Sequence, residues 1–484
     1  MPTVTQTDRS VQIVILGAGP GGLFLANRLA HRSSHYQITL YEKRPDPRQV
    51  SRSDRAFALG LMKRGREALQ TIPGLWDAVV SQGVTVNRSG VYNTKQQRWQ
   101  MIDRAYPPGE AMVLIQRDRL CGLLLDLLEQ LDPEGDRVRI IFQATAQQVN
   151  LQQRQVRLLI GAEEDQAIPG ATAQIDQGYD LLVGADGVNS VVRQAFLSRS
   201  GFDFEQSYFP TVWKALPLGH LPHFENGTSY FVRHHLSPDP EIDRPQAHQP
   251  QANRPKTTLP RTQTPKTLIG AVLPITSDSH CLLMFWDSQS QPSQESQLSQ
   301  DNPLGITQAQ DWQTRISQWF PNLEITADQA QQLWEMRPSS VVSSQCSRYH
   351  DLAGQAVLLG DAAHAMSSRL GQGCQAAFGD VLVLDELLAA ANDRLDRVLP
   401  QYSDRQVPEG HAVTRLNRDL SPKTKWVAIL YGLTSFVQGK LHDVFPQWVP
   451  PSLFKAIGKT TIPYHTLAQR VRFWMWLTRV TDPR

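Results

Sequence analysis

Residues 11–42 read VQIVILGAGPGGLFLANRLAHRSSHYQITLYE, and this stretch decides the fold. A continuous apolar run, Val11 to Leu16, stops at Gly17-Ala18-Gly19-Pro20-Gly21-Gly22. Leu23, Leu25, Ala26, Leu29 and Ala30 follow with helical spacing, and a second apolar run, Ile38 to Tyr41, ends on Glu42. The pattern is strand, glycine turn, helix and strand, with an acid 20 residues beyond Gly22. Each part has a use. Gly17 makes the tight turn, Gly19 lets backbone reach a pyrophosphate, and Gly22 lets helix lie on strand. The helix opening at Pro20 and Gly21 points its N-terminus at phosphates, and Glu42 accepts hydrogen bonds from ribose hydroxyls. A glycine-rich turn alone would say little. In this context it predicts a dinucleotide site.

Length and composition bound the rest. A chain of 484 residues divides into two or three domains around a large core. A net charge of +2, with 19% charged residues, shows no electrostatic footprint for nucleic acid. Cys121, Cys281, Cys346 and Cys374 are scattered, without metal spacing, a CxxC pair or a disulfide framework. No metal site is expected, and a reducing, cytoplasmic setting follows. The apolar N-terminal stretch runs into the glycine turn without a cleavage site, so it reads as a strand and not a signal peptide. No run reaches the roughly 18 apolar residues of a membrane span.

Along the chain, the cations of residues 43–70 read mostly as solvated surface. Residues 117–131, RDRLCGLLLDLLEQL, are a strong amphipathic helix pattern. Val138–Phe142 and Val156–Ile160 look like a strand pair, and Leu181 to Gly187 is another strand ending in a glycine turn. Residues 208–232 and 268–286 look like strands of a different, antiparallel sheet. Between them prolines 240, 245, 250, 255, 260 and 265 block helix and sheet, so the segment reads as a disordered surface loop inserted in a hairpin. Residues 356–361, AVLLGD, are a buried strand, a glycine-interrupted loop reaches Gln375, and a long apolar helix follows. The last 85 or so residues read as helical.

Three glycine-bearing strand ends in this order (GAGPGG, GADG, then LLGDAAHA with GQG) resemble the FAD-dependent aromatic hydroxylases. The resemblance is closer to the kynurenine 3-monooxygenase branch. It extends through YEKR at 41–44, RGREAL at 64–69, FDFEQSYFP at 202–210, VLVLDELL at 381–388, YSDRQVPEGHA at 402–412 and IPYHTLAQR at 462–470.

The resemblance implies FAD as cofactor, NADPH or NADH as reductant, and oxygen insertion into an aromatic ring through a flavin hydroperoxide. Besides the first turn and Glu42-Lys43-Arg44, it assigns Asp186 and Gly187 to the pyrophosphate region. Gly360 and Asp361 fall to the FAD hydroxyls, and Gly371, Gly373, Cys374 and Gln375 to the isoalloxazine edge. Arg55 and Arg117 match family arginines near FAD, with a surface salt bridge as the plainer alternative for each. His364 orders its loop more readily than it acts as a base. In the branch an arginine and a tyrosine hold the substrate carboxylate, and these fall on Arg88 and Tyr106.

This sequence departs from the branch beside the flavin. Ser367-Ser368-Arg369-Leu370 replaces a segment with proline, Gln375 an asparagine and Gly379 an acid. A substrate-binding asparagine falls near Leu420 and a C-terminal tyrosine near Phe454. Arg369 is therefore a further pocket candidate, able to recruit an acidic substrate or to point outward.

The fold expected is α/β. A doubly wound Rossmann-type FAD-binding domain covers 10–80, 111–200 and 350–395. An inserted antiparallel-sheet substrate domain covers 81–110 and 201–349, with the proline-rich insert at 237–266, and a helical C-terminal region covers 396–484. The function expected is hydroxylation of a small aromatic molecule, carboxylated or not, with O2. Kynurenine hydroxylation proper and flavin oxidoreduction without oxygen insertion are the alternatives. The tryptophan-rich C-terminus either caps the active site or lies on a membrane surface.

Overall fold

A computed structural model describes residues 10–49, 57–104, 106–107, 109–161, 173–235, 267–287, 304–353, 355–420 and 424–481. The proline-rich insert, the polar stretch 288–300 and Arg55 lie outside the described residues.

The organising element is a five-stranded parallel sheet. Its order is Ala356–Leu358, Leu181–Gly184, Val11–Leu16, Tyr36–Tyr41 and Val138–Ile141. Register runs in step from Val11 against Tyr36 to Leu16 against Tyr41, and from Ile13 against Leu181 to Leu16 against Gly184. The chain reverses its winding at the first strand, so the ligand crevice opens at that strand's carboxyl end. The Pro20–Arg32 helix follows at once and buries Leu23, Phe24, Leu25, Ala26 and Leu29 completely. It lies under the helices Arg117–Leu131 and Gly373–Ala390, which is why its apolar residues encircle it. Burial of each large side chain stabilises by about 1.5–3 kcal/mol. The buried Asn27 amide donates to Leu23 O at 3.0 Å and Leu124 O at 2.9 Å, fixing one helix against the next.

A seven-stranded sheet stands apart, in the order Ser339–Cys346, Phe204–Leu218, Ser279–Asp287, Thr267–Thr276, Thr228–His235, Arg88–Asn93 and Arg98–Asp103. Its pairs are antiparallel except Thr228–His235 with Arg88–Asn93. Thr228–His235 and Thr267–Thr276 form the hairpin that flanks the proline-rich segment. One face packs on the helices Ala309–Trp319 and Ala327–Glu335 through Val212, Leu216, Tyr230, Val232, Met284 and Trp286. The other face meets Phe57 and Ala58 through Trp213, Ala215 and Leu283. Ala58–Leu61 belongs to a small sheet with Met112–Gln116 and Val84–Val86, which joins the two larger ones.

The expected strand pair is corrected. Val138–Ile141 pairs in parallel with Tyr36–Tyr41, whereas Gln155–Ile160 pairs with Ala144–Asn150 and Ala173–Gly178. Ala144–Asn150, ATAQQVN, is too polar to announce itself as the true partner. Among the cations of 43–70, Arg66 is not surface: it is buried and donates to Gly109 O at 2.7 Å. The C-terminal region forms the helices Leu395–Asp419, Lys425–Val444, Leu453–Lys459, Tyr464–Arg470 and Arg472–Thr481. No described helix is long and apolar enough to cross a membrane.

Candidate functional site

The glycine turn has the geometry its residues require. Gly17 adopts φ +99°, and a Cβ there would stand 2.4 Å from Ala185 O. A Cβ on Gly22 would stand 2.1 Å from Gly17 O, so this position accepts only glycine. The helix behind starts with Pro20 and has neither a side-chain cap nor an acid in its first turn. Its first N–H groups and its dipole therefore face the crevice, where an anion is favoured.

Glu42 closes the turn from the neighbouring strand. Its Oε2 accepts from Ala18 N at 2.9 Å and its Oε1 from Arg44 N at 3.2 Å. Each carboxylate oxygen keeps a second lone pair for a hydroxyl. Lys43 beside it is exposed. Arg117 opens the Arg117–Leu131 helix, with its guanidinium on Asp118 at 3.0 Å and 3.5 Å from where a Gly19 Cβ would stand. Burial works against its charge, yet Cys121, Asp118 and Glu42 outweigh burial and raise its pKa. It stays a cation beside the first glycine turn.

At the second glycine end, Asp186 Oδ2 accepts from Val191 N at 2.7 Å. Burial raises its pKa, while its Oδ1 is buried with no partner. Gly187 (φ +78°) has open space where a Cβ would be. An unused buried acceptor beside an open glycine is what a bound polar ligand completes.

At the third end, Gly360 (φ +58°) leads into the short Asp361–His364 helix. Gly360 N donates to Asp380 Oδ2 at 2.8 Å, and His364 Nε2 meets the same oxygen at 2.7 Å. Both partners are 2% exposed, so this pair is buried structure and His364 orders its loop. Asp361 is exposed, and its Oδ1 lies 3.9 Å from where a Gly373 Cβ would stand. Gly371 (φ +61°) faces open space. Burial pushes the Cys374 thiol up, so it stays protonated. Gln375 spends its side chain on backbone: it accepts from Met62 N and Gly65 N at 3.2 Å each and donates to Gly371 O at 2.8 Å. It holds the loop in place.

The proposed substrate residues are not brought together. Arg88 shares a face with Tyr92, which packs on the helix-covered core, so it points away from the glycine loops. Its guanidinium is held by Asp103 at 2.7 Å and Glu225 at 3.0 Å. Tyr106 is half-buried under the Lys459 ammonium, 4.7 Å from its ring centre. Arg369 sits on the Ser368–Leu370 turn, where burial lowers its pKa and Asp287 and Arg233 of the seven-stranded sheet act on it in opposite directions.

Other residues emerge from the tertiary structure. The Tyr464 hydroxyl donates to Gln372 Oε1 at 2.7 Å, with the Arg64 guanidinium 4.2 Å over its ring. Asn417 Oδ1 accepts from Leu370 N at 3.3 Å. Asn417 lies one helical turn before Leu420. Leu420 packs in the cluster around Leu416, Leu453 and Leu467, and Phe454 is exposed. Among the described residues no group of His, Cys, Asp or Glu could hold a metal.

Comparison with known proteins agrees with this geometry. Residues 10–417 match the family described as FAD binding domain. Kynurenine 3-monooxygenase of Sus scrofa is 25% identical over 479 residues, 97% of this chain and 88% of that protein. The enzyme of that name from Xanthomonas campestris pv. campestris (strain 8004) is 28% identical over 382 residues, 79% of this chain and 72% of that protein. Among solved structures, a tetrameric 2-methyl-3-hydroxypyridine-5-carboxylic acid oxygenase superposes with TM-score 0.57 at 18% identity, covering 84% of this chain and 90% of that one. PqsL of Pseudomonas aeruginosa, a probable FAD-dependent monooxygenase, gives 0.55 at 17%, covering 85% and 96%. The chain belongs to this FAD-binding family, that of the FAD-dependent aromatic hydroxylases.

Proposed function

We propose that the chain is an NAD(P)H-consuming monooxygenase that hydroxylates a small aromatic molecule with O2. One observation carries the reading: the glycine turn with its uncapped helix stands beside Arg117, whose N donates to Phe57 O, and the Phe57 ring meets Trp213 of the seven-stranded sheet edge-on.

FAD fits the residues present, through the uncapped helix, the glycine positions a Cβ would fill and the unsatisfied Asp186 Oδ1. The Pro20 helix, Arg117 and Asp186 would hold the pyrophosphate region, Glu42 the ribose, and Asp361 further hydroxyls. When bound, FAD supplies hydride acceptance from the nicotinamide and activation of oxygen. The chain supplies placement. The Gly373–Ala390 helix opens with no side-chain cap and no acid in its first turn, so its N-terminus stabilises negative charge at the loop. Tyr464, with Arg64 over its ring, and Asn417 hold that loop from the C-terminal side.

Kynurenine, the substrate named for the relatives, is the first compound to test. NADPH and NADH oxidation by the FAD-loaded protein, with and without L-kynurenine, is followed by product mass. A product one oxygen heavier makes kynurenine the substrate. Stimulated oxidation without added oxygen supports flavin oxidoreduction instead, and failure to bind FAD overturns the account.

The C-terminal region supports peripheral membrane contact. Trp426, Ile429, Leu433, Phe436, Val437 and Val444 of Lys425–Val444 share an outward face, with Ile429 70% and Val444 67% exposed. Residues 424–481 carry seven Lys and Arg against one Asp. An apolar face in a region of net positive charge suits an anionic bilayer. Sedimentation with phosphatidylserine vesicles, lost in Leu433→Asp, tests it; concentration-dependent self-association without vesicle binding makes this face a contact between copies.

A further inference from the structure

A polar cavity of about 440 Å³ opens where the small joining sheet meets the seven-stranded one. One wall is the end of the Leu75–Gln82 helix and the Val84–Val86 strand, with Gln82 and Thr85, together with Arg119 of the Arg117–Leu131 helix. The other wall is two turns at strand ends of the seven-stranded sheet, carrying Asn226, Gly227 and Ser277. Hydrogen bonds and close backbone approach fix these walls. Gly227 holds φ +75°, and a Cβ there would stand 3.2 Å from Thr85 O. Gly227 O accepts from Asn87 N at 3.2 Å, and Asn226 Nδ2 donates to Ser277 O at 3.1 Å, tying one turn to the other. Successive helical residues turn by about 100°, so Arg119 leaves its helix on nearly the opposite side from Arg117, which stands at Gly19. The cavity shares no residue with the FAD crevice.

Arg119 is the one charged side chain in the lining. It is exposed and makes no hydrogen bond or ion pair with any described residue. The acids next to lining residues are engaged elsewhere. Asp118 is taken by Arg117 at 3.0 Å, Glu225 by Arg88 at 3.0 Å, and Asp278 accepts from the Thr276 hydroxyl at 2.9 Å. The Gln82 amide and the Thr85 and Ser277 hydroxyls also bond to no described residue. An exposed arginine alone is ordinary. Here it shares a cavity with three unused neutral polar groups, and three separate segments of the chain bring them together.

We propose that this cavity is a second binding site, for a phosphorylated sugar: the phosphate sits on Arg119 and the sugar hydroxyls meet Gln82, Thr85 and Ser277. A guanidinium fork takes two oxygens of an anion. A phosphate offers a third oxygen to a neighbouring hydroxyl, which a carboxylate lacks. Amide and hydroxyl side chains donate and accept, as the hydroxyls of a sugar require. The volume lies within the range of small-molecule sites, about 300–1,000 Å³. A free sugar phosphate and the phosphorylated ribose of NADPH share this chemistry. Either ligand would touch both walls and so tie the joining sheet to the seven-stranded one.

The test titrates the full FAD-loaded chain with ribose 5-phosphate, adenosine 2′-monophosphate, ribose and inorganic phosphate, following binding heat. The tighter of the two phosphorylated sugars is expected to bind at least roughly tenfold tighter than ribose or phosphate. Arg119→Gln is expected to remove most of that factor, and Ser277→Ala a smaller part. Arg119→Lys, which keeps the charge but not the fork, is expected to retain part of it. Flavin content and absorbance should stay unchanged in all three, because neither residue lies at the crevice, and retained FAD shows that each variant is folded. Ribose 5-phosphate binding more tightly assigns a free sugar phosphate. Adenosine 2′-monophosphate binding more tightly, with the same loss in Arg119→Gln, assigns the ribose of NADPH. A phosphorylated sugar no tighter than inorganic phosphate overturns the proposal, and so does binding that Arg119→Gln leaves at full strength.

Discussion

The hydroxyl of Tyr464 reaches Gln372 across 2.7 Å, joining the last quarter of the chain to the loop that precedes the Gly373–Ala390 helix. Burial raises the pKa of this hydroxyl, so it stays a donor, and Gln372 is fully buried. Gln372 in turn donates to Leu370 O at 3.1 Å. The C-terminal helices thus reach the loop through Tyr464 as well as through Asn417.

Tyr464→Phe keeps the ring under Arg64 but leaves a buried amide oxygen unpaired, at a cost of about 1–3 kcal/mol. A denaturant midpoint should fall accordingly. Because the loss sits at the loop, FAD should also dissociate faster than from the parent, as flavin fluorescence would record.

Gly22→Ala places a methyl 2.1 Å from Gly17 O, against backbone that cannot give way. The helix must withdraw from the first strand. FAD affinity should fall by at least roughly tenfold, or about 1.4 kcal/mol, measured by flavin released on dialysis.

Lys214 is buried, donates to Leu333 O, and faces the Trp312 ring at 5.1 Å. Burial lowers its pKa to about 8 from an ordinary 10.5. The unfolded chain then binds the extra proton, so stability rises with pH between about 8 and 10.5 and bears the full penalty below about 8. Lys214→Met should stabilise the protein by about 1–3 kcal/mol at neutral pH and flatten that rise. Thermal melts from neutral to alkaline pH decide it.

Burial alone would lower the His364 pKa, but the Asp380 carboxylate outweighs it and raises the value above its ordinary 6.5. The folded state therefore holds the extra proton. Its stabilisation is complete below about 6.5 and is lost as pH rises through the folded value. Asp380→Asn should cost about 3–5 kcal/mol on the acid side and less on the alkaline side. Equal destabilisation at both ends of a pH series of melts would refute this linkage.

Much of this was legible in residue order. Arg117–Leu131 falls on the residues its apolar spacing marks. The three glycine ends converge because each closes a strand of one parallel sheet. The partner of Gln155–Ile160 was not legible, since ATAQQVN is stabilised by pairing and carries no apolar alternation. Nor was the Tyr464–Gln372 bond, whose residues lie 92 positions apart.

By itself the sequence determined the FAD crevice. Turn, helix spacing and strand-end acid are local patterns, each enforced by neighbours along the chain, and Gly17 and Gly22 admit no other residue where they stand. Tertiary structure decided which face of the sheet each arginine occupies. Arg88 and Arg233 both lie in strands of the same sheet, and pairing register turns one toward the helix-covered core and the other toward the flavin loops. Side-chain direction alternates at every residue, so a face is assigned only when a strand has found its partners.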